Sequence, residues 1–521
     1  MSRTTRDLLI ALSLANLCFL SGWQVLLNAL HYTYYAWKYH PGFIEYTALI
    51  CNVLLLAAFF WVAMTLAQRS GKQSVLRVAR LAFLLVLIVP VNNLRLQIFD
   101  PLDSSATERQ TSAIILTVTL LLLLLALVLK RWRQKVIRGA VIVLLILFPF
   151  FLVALFQGAW LTIKYRANAQ LVRTESLAPP LRSKSQGALR VVLLVFDELD
   201  QRRAFAARPT GLELPEFDRL RGQAIFASNA YPPGSNTLFS LPSLTIGAQV
   251  SEALAVRPDE LMLTLKESKG EVGWSTQPNL FSAARASGFD TALVGWYHPY
   301  CRVIGNSLTS CFWEPVIDAI NPLRGKPTLG KSMSHWAETA LLRVPGIFRV
   351  FKSRYDSKRS EDHIQEHLRI LEQAKMASRK REFGLILLHF PIPHHPFIYD
   401  RSLTALSSNP DRTYEDNLAL TDRTLGEVRR EMEVAGLWET TTIIVTSDHW
   451  WRSPPDGKID KRVPFILKLA GQKQGMTYDA AFNTVLTSGL IQAILMGEVS
   501  APGSVAQWLD QNRTSVETPG I

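Results

Sequence analysis

Thr237 closes a loop rich in Pro, Gly, Ser and Asn, Tyr231-Pro-Pro-Gly-Ser-Asn236, and from Leu238 the residues turn apolar as the first turns of a buried helix do. Backbone N–H groups at such a helix start favour an anion, so a hydroxyl there can attack a phosphorus or sulfur centre while the developing charge is held. The plain alternative is a helix N-cap. Asp197 and Glu198 follow directly on the apolar run Val191-Val-Leu-Leu-Val-Phe196, and Asp448-His449 follow Thr441-Thr-Ile-Ile-Val-Thr-Ser447. Acids at the ends of buried strands are costly unless a cation compensates them. A carboxylate beside an imidazole suits a divalent transition-type ion, zinc or manganese ahead of calcium or magnesium, because imidazole is a poor calcium ligand. A helix cap or an exposed pair would explain the same residues without a metal. His394 and His395 lie in Pro391-Ile-Pro-His-His-Pro396, which the prolines hold extended, and His298 ends a second strand. All three are candidate ligands for metal or phosphate, an exposed pair being the alternative for His394 and His395. Asn236 would add a hydrogen-bond donor beside the threonine.

Alternating segments must position these groups. Apolar runs of strand length occur at 191–196, 291–295, 383–389, 441–446 and 463–468, and helical periodicity at 281–288, 361–380 and 414–435. Strands alternating with helices predict an α/β sandwich with a mostly parallel sheet, in which ligands gather at the carboxyl ends of the strands.

The first 163 residues are of another kind. Apolar stretches at 8–30, 47–67, 75–94, 112–129 and 141–161 each approach the roughly 20 residues that a bilayer requires, which predicts five spans. Arg69, Lys72, Arg77 and Arg80, then Lys130, Arg131, Arg133, Lys135 and Arg138, occupy alternate loops, as Arg3 and Arg6 do the amino terminus. These are the cytoplasmic loops, so a multi-pass inner or plasma membrane protein is expected, with its amino terminus inside and the rest periplasmic or extracellular. The chain is thus expected to divide into a transmembrane domain (1–163), a juxtamembrane linker (164–189) with an interfacial helix at 167–177, a catalytic domain (190–500) and a tail (501–521). Most of the formal net charge of +13 sits in the anchor, which removes the argument for nucleic acid. Cys301 and Cys311 are close in the exported part, where a disulfide persists.

In order along the chain, the strand ending in Asp197, the segment from Asn229 to Gly247 with Ser240-Leu-Pro242, the His394-His395-Pro396 element and Ser447-Asp448-His449 with Arg462-Val-Pro464 resemble the alkaline phosphatase superfamily. The resemblance covers about 190–475. It is to the sulfatase-like branch containing phosphoethanolamine transferases and lipoteichoic acid synthases. It implies Thr237 as nucleophile, Asp197, Asp448 and His449 as metal ligands, and His394 ahead of His395 at the substrate, with His298, Asn236 and Glu198 as further contacts. Sulfatases carry a Cys or Ser that becomes formylglycine, followed by Pro and Arg, where this chain has Thr237, Phe239 and Leu241. Threonine cannot form that aldehyde. The sulfatase element Gly-Lys-Trp-His stands here as Gly295-Trp-Tyr-His298, without its lysine. The resemblance therefore implies transfer of a phospholipid head group, phosphoethanolamine or phosphoglycerol, to an envelope lipid or glycan hydroxyl. A hydrolase on the same residues and a non-catalytic glycan-binding domain are the alternatives.

Overall fold

The computed structural model describes residues 2–27, 35–36, 41–98, 114, 116–118, 130–173, 176–181, 189–316, 328–344 and 347–513. Two units result: residues 1–29, 39–171 and 318–353 in the first, residues 30–38, 172–317 and 354–521 in the second.

In the first unit Phe43–Arg69, Gln73–Arg95 and Trp132–Lys164 are long and apolar enough to cross a membrane. The helices Arg3–Cys18 and Leu20–Leu27, bent by 66°, make a fourth if the pair counts as one. Among the described residues this corrects five spans to three or four. The expected span at 112–129 lies largely outside them. Buried amides take main-chain acceptors, as they must where water is scarce: Asn93 Nδ2 donates to the Cys18 carbonyl at 2.9 Å. Asn52 Nδ2 donates to Met333 at 2.9 Å, so the Leu329–Leu342 helix, far along the sequence, packs in this unit. The last apolar helix runs unbroken from Lys130 to Arg173, past the linker expected from 164.

The second unit is built on β1 (Val191–Asp197), β2 (Ile225–Tyr231), a small antiparallel sheet of β3 (Val250–Arg257), β4 (Glu260–Leu265) and β5 (Glu271–Gly273), then β6 (Asp290–Tyr297), β7 (Ser310–Pro315) and β8 (Phe383–Pro393). A hairpin of β9 (Tyr399–Asp400) and β10 (Ala405–Leu406), then β11 (Thr442–Ser447), β12 (Val463–Lys468), β13 (Met476–Tyr478) and β14 (Phe482–Asn483) follow. Nine strands form the main sheet, in the order β13-β2-β12-β11-β1-β8-β6-β7, with β14 also on β2. Only β12 runs against its neighbours. Central β1 is buried on both faces, which explains its unbroken apolar run. Val191, Leu193 and Val195 enter one core layer, while Val192, Leu194 and Phe196 enter the other. Pro502–Asn512, expected as tail, is a helix that sends Val505 and Leu509 into the first layer.

Cys301 and Cys311 are joined, their Cα atoms 5.6 Å apart.

Candidate active site at the ends of β1 and β11

Register brings the two acids together. β1 and β11 are parallel with Phe196 opposite Ser447, so Asp197 and Asp448 emerge side by side. Ser447 locks the corner: its Oγ lies 2.7 Å from the Phe196 carbonyl and 2.8 Å from that of His449, and accepts from Leu199 N at 2.8 Å. The chain leaves β1 through Glu198 at φ 64°, a left-handed conformation rare outside glycine. That turn aims Glu198 N at Asp448 Oδ1, 3.3 Å away.

Thr237 is the first residue of the Thr237–Ile246 helix, and the cap is its neighbour: Asn236 Oδ1 accepts from Phe239 N at 3.2 Å. The threonine hydroxyl is thereby released from capping and donates to Asp448 Oδ2 at 2.8 Å. Gly247, at φ 72°, ends the helix in the left-handed conformation that a side chain disfavours.

His449 Nδ1–H donates to the Trp450 carbonyl at 3.0 Å, which turns the Nε2 lone pair inward. Around Nε2 stand Asp197 Oδ1 at 3.2 Å, Thr237 Oγ1 at 3.4 Å and Asp448 Oδ2 at 3.5 Å. Asp197, Asp448 and His449 are buried, each offering a ligand atom within 4.8 Å of the others. Neither oxygen of Asp197 is satisfied by a hydrogen bond of ordinary geometry. Burial opposes ionisation of Asp197, but the positive potential of His394 and His449 holds its carboxyl low. Burial and the Asp197 charge push Asp448 up. Against its own burial, the His449 imidazole is drawn up by Asp448 and Asp197. Unsatisfied buried carboxylate oxygens converging with an imidazole lone pair fit a divalent cation.

The other expected residues are placed as follows. His394 N donates to the Asp197 carbonyl at 3.1 Å, and its Nδ1–H donates to the His395 carbonyl at 2.6 Å, which sets it beside the acid. His395 is exposed. The Glu198 carboxylate pairs with Arg452 at 3.0 Å and is not grouped with the cluster. Both nitrogens of His298 are engaged: Nε2 lies 3.0 Å from the Thr237 carbonyl and Nδ1 2.9 Å from Tyr35 Oη. Burial pushes this imidazole down to about 3, so it is neutral.

Sequence reasoning missed three supporting residues. His389, level with Val195 in the register, lies 3.0 Å through Nδ1 from Tyr300 Oη, and its Nε2 is buried without a partner. The alternation Leu385, Leu387, His389 would have placed it on the nucleophile's face. Tyr300 follows His298 too closely to read as anything but turn. Tyr35, 263 residues from His298, carries no signal at all.

A mostly parallel α/β sheet with a metal-type donor set and a helix-start hydroxyl at its carboxyl end is the arrangement of an enzyme site. Residues 190–495 match the sulfatase family model, so the chain belongs to the sulfatase family. No curated protein matches the chain. Among solved structures it is similar to a phosphonate monoester hydrolase of Agrobacterium radiobacter, at 14% identity over 59% of this chain and 74% of that one, TM-score 0.38. It is similar also to the PsFucS1 sulfatase from Pseudoalteromonas sp., at 15% over 60% and 69%, TM-score 0.38. A protein in the alkaline phosphatase superfamily from Vibrio parahaemolyticus aligns at 12% over 61% and 68%, TM-score 0.38.

Proposed function

We propose that this sulfatase-family enzyme is a membrane-anchored phosphotransferase. It moves a phospholipid head group, phosphoethanolamine or phosphoglycerol, to a hydroxyl of an envelope lipid or glycan through a phosphothreonine, as in the phosphoethanolamine transferase and lipoteichoic acid synthase branch. The observation that carries the reading is the Thr237 hydroxyl, relieved of capping by Asn236 and 2.8 Å from Asp448.

Thr237 Oγ attacks the donor phosphorus and passes its proton along the existing hydrogen bond towards Asp448. The phosphorus–oxygen bond to diacylglycerol breaks, and His394, beside Asp197, gives the departing alkoxide a proton. An acceptor hydroxyl then attacks the phosphothreonine and gives its proton to His394, while the departing threonine oxygen takes its proton back from Asp448, which restores Thr237. Asp197, Asp448 and His449 would hold a divalent cation, which lowers the hydroxyl's pKa and offsets phosphoryl charge when bound. Anchoring raises the effective concentration of a lipid donor. The threonine in place of a formylglycine precursor and the apolar helices both favour this reading over sulfate ester hydrolysis. In it the domain is outside the cytoplasm, at the inner or plasma membrane.

Intact mass after incubation with a phospholipid extract tests it. Wild type should gain an adduct of head-group phosphate mass, which Thr237→Ala lacks, and Thr237→Ala should lose at least about a thousandfold in rate. An unmodified Thr237 with head groups released into water would turn the reading into a hydrolase.

A further inference from the structure

His298 sits behind the nucleophile in an aromatic shell: the rings of Trp274, Tyr300 and Tyr35 stand edge-on at 4.9, 5.6 and 5.9 Å. Its hydrogen bonds determine its tautomer. The Thr237 carbonyl can only accept, so Nε2 carries the hydrogen across that 3.0 Å contact, and Nδ1 presents a lone pair. The group opposite Nδ1, at 2.9 Å, is the Tyr35 hydroxyl, which must therefore donate. Burial keeps both partners in the forms this requires, with the imidazole neutral and the phenol protonated.

Tyr35 comes from an unexpected part of the chain. In sequence it lies between two apolar helices, yet residues 30–38 belong to the second unit. Tyr35 is fully buried, and its carbonyl accepts from Arg302 Nη2 at 2.7 Å. It is thus fixed at both ends, by Arg302 on the main chain and by His298 on the ring.

We infer that Tyr35 is a positioning residue for the nucleophile: by holding His298 as its Nε2–H tautomer, it fixes the Thr237 carbonyl and with it the first turn that presents the hydroxyl. The inference rests on Thr237 being the nucleophile. Without the phenol O–H, the ring either leaves a buried lone pair unsatisfied or moves its hydrogen to Nδ1 and gives up the Thr237 carbonyl.

The test uses the full chain in detergent with zinc or manganese. It follows turnover of bis(4-nitrophenyl) phosphate and the rate at which Thr237 gains mass from a phospholipid extract. Tyr35→Phe should lower kcat about tenfold with KM unchanged, the loss expected for one misplaced hydrogen bond. Bound metal should stay at the wild-type value, and the variant should remain folded at the assay temperature despite the small fall in melting temperature that a lost buried hydrogen bond brings. His298→Ala should lose at least as much, and the double variant should be no worse than His298→Ala alone, because both act on one carbonyl. Wild-type kcat in Tyr35→Phe, additive losses in the double variant, or a loss that tracks melting or metal content would overturn the inference. An inactive Thr237→Ala beside a fully active Tyr35→Phe removes this inference alone. An active Thr237→Ala, or a wild type inert in both assays, removes the nucleophile and this inference together.

Discussion

The direction of one imidazole decides what the cluster can hold. His449 gives its Nδ1–H to the Trp450 carbonyl, and its Nε2 lone pair meets oxygens of Asp197, Asp448 and Thr237 between 3.2 and 3.5 Å. Two buried carboxylates side by side repel, and with no metal bound they draw a proton onto Nε2. A divalent cation takes that proton's place and relieves the repulsion. His449→Ala and Asp448→Asn should each weaken binding of zinc or manganese at least about tenfold, read as metal per chain after dialysis against a graded chelator. Chelation of the wild type should abolish activity, and zinc or manganese should restore it where calcium does not. Full activity in metal-free protein would contradict the assignment. At this scale most of the cluster was legible, because an acid or histidine directly after an apolar run is unusual enough to be noticed. His389 and Tyr35 were not, since each is an ordinary residue for its segment until the fold supplies its neighbour.

Elements carried their signal through burial. The runs that became β1, β8 and β11 are apolar because both faces of the sheet are covered, and their ends were read to within a few residues. The antiparallel direction of β12 had no counterpart in its sequence: the apolar run Val463–Lys468 looks the same in either sense and is set only by pairing with β11 and β2. Short β3, β4 and β5 went unread because they alternate weakly, with two buried positions of eight in β3, three of six in β4 and none in β5. Helix contacts carry a pH dependence. Asp422 on Tyr414–Val434 accepts from Phe217 N at 2.8 Å and Glu216 N at 3.2 Å, first-turn donors of the Pro215–Arg221 helix. Burial nevertheless pushes its carboxyl up to about 7. A carboxyl raised in the fold ionises earlier in the unfolded chain, at about 4, so stability is greatest below that pH and falls as pH climbs towards 7. Asp422→Asn does not titrate. Its melting temperature relative to wild type should therefore rise between about pH 4 and 7 and level off above, and a difference independent of pH would refute the account.

The side of the membrane proposed for the second unit depends on the number of crossings. An amino terminus inside, with an odd number of spans, delivers residues after 171 to the outside. Three spans satisfy this, and four, with the bent pair Arg3–Cys18 and Leu20–Leu27 as one, do not unless the apolar stretch at 112–129 also crosses. Arg69 and Lys72 precede one apolar helix and Lys130 to Arg138 another, and the orientation proposed above requires both basic clusters to lie inside. The joined Cys301 and Cys311 agree with an oxidising compartment for the second unit. With Cys18 and Cys51 replaced by alanine, the remaining cysteines are bridged and silent to thiol reagents. Into that background single cysteines at Gly71, Ser104, Lys135 and Asp411 report the topology. A membrane-impermeant maleimide added to intact cells stripped of any outer envelope should label Ser104→Cys and Asp411→Cys. Gly71→Cys and Lys135→Cys should react only after permeabilisation. Protection of Asp411→Cys would place the second unit in the cytoplasm and end the proposal of an envelope acceptor, and labelling of Lys135→Cys from outside would overturn the proposed orientation.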